Sequence, residues 1–321
     1  MKTRRYLAVD VGGTKTAISV WEERCQREPG PSTEPPERQG KRVWPTLKDG
    51  PEANVSRIAA EARSLLGELT FAPTELASIG ISGGGSVDSQ RGVFVTIPNL
   101  AGWDEFPIAP RLAEVFGVRA GVENDANACA LAERAFGAGE GADNMAFLTF
   151  STGLGAGLIV DGRLLRGAGN LAGELGHSTI VADGLPCGCG RRGCLEAYAS
   201  GAGMAARLST ARVDDSTRPT TAREVVERAH RGDAFAQEFL RETAGYLAVG
   251  LSQLIFCLNP QRIVLGTIAV GAGNLLLDPL RAFVAESVWP SLAKDLQILP
   301  ARLGENLGDY AALTVARDVA D

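Results

Sequence analysis

The sequence predicts an α/β protein built from two similar halves. Three observations lead there. First, apolar, β-branched runs alternate with segments whose apolar residues recur at helical spacing, the pattern of helices packed on sheets. Second, residues 10–20 (DVGGTKTAISV) and 150–160 (FSTGLGAGLIV) share one layout of strand, small polar residue, glycine turn and strand. Third, 321 residues amount to two domains at roughly 150 residues each, long enough for a core that needs no disulfide staples.

Residues 5–11 (RYLAVDV) read as a strand entering the tight turn Gly12-Gly13-Thr14, with a second strand at 16–21. Residues 22–40 are polar and rich in Pro and Glu, so an exposed loop is expected there before a short strand at 41–45. Val55, Ile58, Ala59, Ala62, Leu65 and Leu66 predict a helix over 52–67. A strand at 77–82 runs into Gly83-Gly84-Gly85, a helix is expected at 107–116 and a strand at 118–122. Residues 124–137 form an Ala-rich helix that Asn124 would cap. Strands at 145–151 and 155–161 follow. From about 222 the chain turns helical. Phe235, Phe239, Leu240, Leu247, Leu251, Leu254, Ile255 and Leu258 make a long stripe that Asn259-Pro260 ends. A buried strand at 262–266 and a helix at 274–286 complete the reading.

Composition removes several classes of function. The 32 Lys+Arg against 38 Asp+Glu give a net charge of -6, which argues against a general nucleic-acid binder because phosphate repulsion is nowhere offset. No apolar run reaches the ~18 residues of a membrane span. The opening MKTRRYLAVDVGGTK has no apolar signal-peptide segment, so a cytoplasmic protein is expected. Glycine, 39 of 321, exceeds the usual ~7% without a collagen period, so it should mark turns and close backbone approaches. Of six cysteines, Cys187, Cys189 and Cys194 crowd one window, a metal pattern more than a disulfide framework. Cys129 and Cys257 are expected in the core, Cys25 in the loop and His230 on the surface.

Four motifs carry chemistry. Asp10-Val11-Gly12-Gly13-Thr14-Lys15 ends a strand with a carboxylate, two glycines and a hydroxyl. That set can hold hydrated Mg²⁺ and turn backbone N–H groups towards phosphate, although an ordinary hairpin explains it equally well taken alone. Ser151-Thr152-Gly153-Leu154-Gly155 is a second turn of that kind, and the pair would clamp a phosphate chain from two sides. Glu123-Asn124-Asp125-Ala126-Asn127 puts a carboxylate at a helix start, where it either caps the helix or takes a hydroxyl proton in phosphoryl transfer. His177 with Cys187, Cys189 and Cys194 forms a complete tetrahedral donor set for a closed, structural Zn²⁺ site.

In this order the motifs resemble the ROK family of sugar kinases and regulators, most closely its bacterial glucokinases. The matching stretches are LAVDVGGTKT, PNLAGW, ENDANACALAE, FSTGLGAGLI and GELGH…CGCGRRGCLEAYASG, all between residues 7 and 201. The Cys-rich stretch is the specific one. The resemblance implies the two-lobed actin/hexokinase-like (ribonuclease H-like) duplicated fold with a cleft between lobes. It places the N-terminal lobe at 1–123 plus 309–321 and the C-terminal lobe, with its zinc loop and helices, at 124–308.

It further implies that Asp125 deprotonates the sugar 6-hydroxyl, which attacks the γ-phosphate of Mg·ATP. Asn99, Asn124, Asp125, Glu174, His177 and Glu196 would bind the sugar, with His177 serving zinc as well. Asp10, Gly12, Gly13, Thr14 and Lys15 match the first phosphate segment, and Thr152 and Gly153 the second. Gly266 and Gly271 fall in the adenosine segment, where Thr267 stands in place of a second glycine. The expected partners are a hexose and ATP, with no nucleic acid and no membrane, in a homodimer or homotetramer. An N-acetylmannosamine or other hexosamine kinase, and a non-catalytic sugar sensor or regulator, are the alternatives. Only nine residues precede Asp10, too few for a helix-turn-helix module. The choice between ATP and polyphosphate is left open.

Overall fold

β1 (Lys2–Val11) and β2 (Lys15–Cys25) form an antiparallel hairpin closed by the Gly12–Thr14 turn. This is a computed structural model, and it describes residues 2–25, 36–97, 100–210 and 219–320. The chain divides into two compact units. One comprises Met1–Phe136, Gly167–Leu171 and Glu305–Asp321; the other comprises Gly137–Arg166 and Ala172–Gly304.

In the first unit β2 also pairs with β3 (Glu37–Pro45). Helix α1 (Pro51–Glu68) follows, starting at a proline that suits the first helical turn and burying Val55, Ile58, Ala59, Ala62, Leu65 and Leu66 along one face. Then come β4 (Leu76–Gly83), the small hairpin β5 (Ser86–Asp88) and β6 (Val93–Thr96), α2 (Ile108–Phe116), β7 (Ala120–Asn124) and α3 (Asp125–Phe136). The sheet order is β3-β2-β1-β4-β7, with β1, β4 and β7 parallel.

The second unit repeats the plan. β8 (Met145–Phe150), β9 (Leu154–Val160) and β10 (Arg163–Leu164) form the antiparallel part. Short helices α4 (Leu195–Ala199) and α5 (Gly201–Thr210) precede α6 (Ala222–His230) and the long α7 (Ala234–Leu258). Asp233 caps α7 by accepting from Ala236 N at 3.1 Å, and Asn259 ends it at φ 44°. β11 (Arg262–Leu265), α8 (Thr267–Ala272), α9 (Asn274–Ser287), α10 (Pro290–Ala293) and β12 (Gln297–Pro300) complete the unit. Its sheet order, β10-β9-β8-β11-β12, matches strand for strand that of the first, so the echo between residues 10–20 and 150–160 marks equivalent hairpins.

Helix α11 (Leu307–Ala320) returns to the first sheet. Gly80 on β4 permits the approach. A Cβ there would lie 2.1 Å from the Ala312 carbonyl oxygen and 2.2 Å from Ala316 N. Ser78 Oγ donates to the Ala316 carbonyl at 2.5 Å. Nearby, buried Glu23 accepts from Tyr6 Oη at 2.7 Å and from Arg317 at 2.8 Å. Burial and that carboxylate hold the Tyr6 phenol well above its ordinary range.

The structure differs from the sequence reading in particular places. β2 and β3 reach into the expected 22–40 loop, because backbone pairing such as Glu22 with Glu37 needs no apolar side chains. Residues 26–35 of that loop lie outside the described residues. Cys257 is exposed, contrary to expectation. It lies two residues past buried Ile255, about 200° round the helix, in line with exposed Gln253. Phe235 is likewise exposed at the end of its stripe, whereas Cys129 is buried as expected. Among the described residues no helix is long and apolar enough to cross a membrane.

Replacing Gly80 by alanine forces Cβ into the α11 backbone. The expected loss is about 1–3 kcal/mol of stability, read as a lower denaturation midpoint with an unchanged slope. An unchanged midpoint would mean that α11 is not held by this contact.

Candidate functional site

The first unit gathers its chemistry at the carboxyl ends of its parallel strands, where α/β sheets present ligand-binding loops. Register puts Asp10 beside Ser82 and Ser82 beside Glu123, with Gly83 beside Asn124 one step on. The first turn is fastened from outside. Gly12 N donates to Lys15 O at 3.0 Å, Thr46 Oγ1 to Gly12 O at 2.6 Å and Lys48 Nζ to Gly13 O at 2.8 Å. A Cβ on Gly12 would sit 2.9 Å from the Lys15 carbonyl oxygen, which explains the glycine. Gly13, Thr14 and Lys15 are left exposed.

Asn124 caps α3 as expected, its Oδ1 accepting from Ala126 N at 2.9 Å and Asn127 N at 3.2 Å. Its amide nitrogen donates to Gly85 O at 2.9 Å, tying the triple-glycine segment to the helix start. Buried Glu123 accepts from Asn124 N and Asn127 Nδ2, both at 3.0 Å. Asp125 is thus the first residue of a helix fixed on both sides, with Oδ1 taking Ala126 N at 2.9 Å. A Cβ on Gly84 would sit in ordinary contact, 3.6 Å from Asp125 Oδ2.

Asp10 is the strained charge. Burial first, then Asp125 and Asp309, push its carboxyl from the ordinary 3.8 up to about 6, with Lys15 and Lys41 opposing. A buried carboxylate crowded by two others suits a hydrated cation. The sequence reading passed over Asp309 on α11. It is buried, accepts from Arg38 at 2.7 Å and Lys41 at 2.6 Å, and follows Gly308, whose missing Cβ leaves room for the Asp10 carboxylate. The signal available was an acidic residue in the first turn of a helix, a common and unspecific pattern.

In the second unit the Ser151–Gly153 turn joins β8 to β9. Ser151 and Thr152 present their carbonyls to Gly201 N at 2.7 Å and Ala202 N at 3.1 Å. Glu196 Oε2 accepts from Leu154 N at 2.9 Å. Gly266 caps α8 immediately after β11, and Gly271 lies within α8, its carbonyl 2.9 Å from Nε2 of exposed His230. Glu174 is exposed, 4.0 Å from His177 Nε2. Asn99 lies outside the described residues.

Among the described residues one group of side chains is arranged to hold a metal: His177, Cys187, Cys189 and Cys194, whose donor atoms all lie within 4.8 Å of one another. A tetrahedral ion with bonds of about 2.3 Å to sulfur and 2.0–2.1 Å to nitrogen sets S···S edges near 3.8 Å and N···S edges near 3.6 Å. The Cys189–Cys194 sulfurs are 3.7 Å apart, and Cys187 Sγ is 3.6 Å from His177 Nδ1. The donor set and its spacing therefore fit Zn²⁺ with no position left for substrate. Nδ1 faces the cluster, so Nε2 is the nitrogen left for a second partner. The loop closes through Cys187 N to Arg191 O at 2.8 Å and Gly193 N to Leu185 O at 2.8 Å, with Gly190 and Gly193 at φ 84° and 74°.

The model of the ROK family matches residues 6–319. A glucokinase of Halalkalibacterium halodurans is 33% identical over 96% of this chain and 93% of its own. An N-acetylmannosamine kinase of Salmonella newport is 33% identical over 88% and 89%, and a xylose repressor of Bacillus subtilis 30% identical over 80% and 65%. The crystal structure of a ROK family glucokinase from Streptomyces griseus, in complex with glucose and AMPPNP, superposes with a TM-score of 0.75 at 30% identity, covering 98% of this chain and 99% of that one. The fold is that of a protein of two α/β units with matching sheet order. The chain belongs to the ROK family.

Two outcomes follow from the geometry. Folding raises the Asp10 carboxyl from 3.8 to about 6 and so favours its neutral form relative to the unfolded chain; its ionisation therefore costs stability as pH rises from about 4 through 6. Asp10→Asn should raise Tm at pH 7.5, with the gain shrinking towards pH 4; an equal gain at both would sink the charge argument. Burial also pushes the Cys194 thiol up to about 12 in the metal-free protein, so loading must displace protons. Elemental analysis should find about one Zn per chain, Cys194→Ser should lose it, and the metal should dissociate more readily as pH falls.

Proposed function

We propose that the protein is an ATP-dependent sugar kinase that transfers the γ-phosphate to the 6-hydroxyl of glucose. The observation that carries the reading is the closeness of Asp10, near the end of β1, to Asp125, the first residue of α3, whose charge raises the Asp10 carboxyl, in a chain of the ROK family. Asp125, the first residue of α3, accepts the hydroxyl proton as the sugar oxygen attacks phosphorus. The new O–P bond forms while the bond to the ADP oxygen breaks. The nucleotide brings Mg²⁺, and Asp10 supplies the fixed negative charge that a hydrated cation needs.

Asn99, Asn124, Glu174, His177 and Glu196 are the residues assigned to the sugar hydroxyls. A site that hydrogen-bonds hydroxyls rejects analogues lacking them, because its polar groups would be left unpaired. Gly12, Gly13, Thr14 and Lys15 of the first unit and Thr152, Gly153, Gly266 and Gly271 of the second are the residues assigned to the nucleotide. His177 Nδ1 and the three thiolates hold a structural Zn²⁺. A homodimer or homotetramer is supported by the exposed pair Phe256 and Trp289, whose rings meet edge-on at 5.6 Å.

The N-acetylmannosamine kinase relative supports a second reading in which only the sugar differs. Coupled-assay kinetics on glucose, mannose, fructose, N-acetylglucosamine and N-acetylmannosamine, with ATP and with polyphosphate, separate the two. The highest kcat/KM is expected for glucose with ATP. Asp125→Asn should lower kcat by a factor of about 10²–10⁴ while calorimetric sugar binding partly survives. Near-normal turnover would remove the general-base assignment, and sugar binding without turnover in the unmodified protein would favour a sensor.

A further inference from the structure

The metal cluster and the second glycine turn are parts of one mechanical unit. The four metal ligands come from two chain segments, one ending at His177 and one running from Cys187 to Cys194. The segments are stitched by a bridge between Thr179 and Cys194 and by Leu195 N donating to Ser178 O at 3.0 Å. Each segment also grips the start of β9. The first does so through backbone alone: Ala156 N donates to Gly173 O at 2.9 Å. Cβ atoms on Gly173 and Gly176 would lie 1.9 Å from the Ala156 and Leu154 carbonyl oxygens respectively. The second segment does so through a side chain. Cys194 is the N-cap of α4, which fixes Glu196 two residues on, and Glu196 Oε2 takes Leu154 N at 2.9 Å. A Cβ on Gly153 would be 3.0 Å from that same oxygen.

We infer that Glu196 is a positioning residue for the Ser151–Leu154 turn, and that the metal, by clipping the two gripping segments together, sets that turn's hold on the phosphates of the nucleotide. The inference rests on the kinase reading for the identity of the ligand, and it gives Glu196 a task separate from contact with sugar. Glu196 keeps its carboxylate against the Leu154 amide on one side, with Oε1 4.0 Å from Cys187 Sγ on the other. A charge-assisted bond to a backbone N–H holds better than a neutral one, and losing it frees the turn that its geometry defines.

The test is calorimetric binding of AMPPNP with Mg²⁺ and no sugar to the zinc-loaded full chain and to its Glu196→Ala and Glu196→Gln variants, with metal content measured for each. Glu196→Ala should raise the nucleotide Kd about tenfold at unchanged zinc content. Glu196→Gln, whose carbonyl still accepts from Leu154 N, should restore most of the affinity. Hydrogen exchange supplies the second arm. Chelation of the metal should accelerate exchange at the amides of 152–156 more than at 12–15. Nucleotide affinity equal in Glu196→Ala and the unmodified protein, or exchange at 152–156 unmoved by chelation, would overturn the inference. If the unmodified protein binds no nucleotide, the kinase reading falls instead, and the exchange arm still decides whether metal and turn are coupled.

Discussion

Backbone pressed on backbone, where no Cβ intervenes, sets the geometry of both units. At Gly80 it brings α11 onto the first sheet; at Gly173 and Gly176 it lays the histidine segment on β9; at Gly193 it folds the cysteine loop against the Val181 carbonyl, 1.7 Å from where a Cβ would be. Each contact replaces a side-chain layer with direct van der Waals approach of backbone to backbone. The site chemistry depends on this. The Leu154 amide reaches Glu196, and the sulfurs and imidazole come within reach of one another, because these chains cannot drift apart without opening a void.

The second organising effect is electrostatic, and it works against the fold. Asp10, Asp125 and Asp309 gather round one strand end, where Asp309 accepts from Arg38 and Lys41. A residue chosen for stability alone would not leave Asp10 in that position. Buried carboxylates crowded in this way carry an electrostatic cost, a pattern concentrated at functional sites.

Much of this was legible in sequence because turns and strands announce themselves locally. The Gly12–Thr14 turn, the Asn124 cap, the α1 stripe and the His177–Cys194 donor set all depend on residues within a short stretch. What was hidden depends on distant partners. Asp309 meets Arg38 and Lys41 across some 270 positions, a pairing that no window contains. The α4 and α5 segment, with its glycines and short length, carried too little periodicity to read. Gln253 and Cys257 sit on a helix whose mean character is apolar, yet face outward, because the direction of a stripe is set by what packs on it. The extension of β2 and β3 past their apolar residues came from ladder hydrogen bonds, which side-chain patterns do not report.

The return of α11 has a consequence for how the protein is made. Tyr6, Trp21 and the bare backbone at Gly80 belong to the earliest part of the chain, yet their cover is translated after the whole of the second unit. During synthesis the first sheet therefore emerges with one apolar face open and its buried Glu23 still without Arg317. The second unit, interrupted only at Gly167–Leu171, has its residues in hand first. Vectorial folding of this chain thus runs against its numbering: the part begun first is the part finished last.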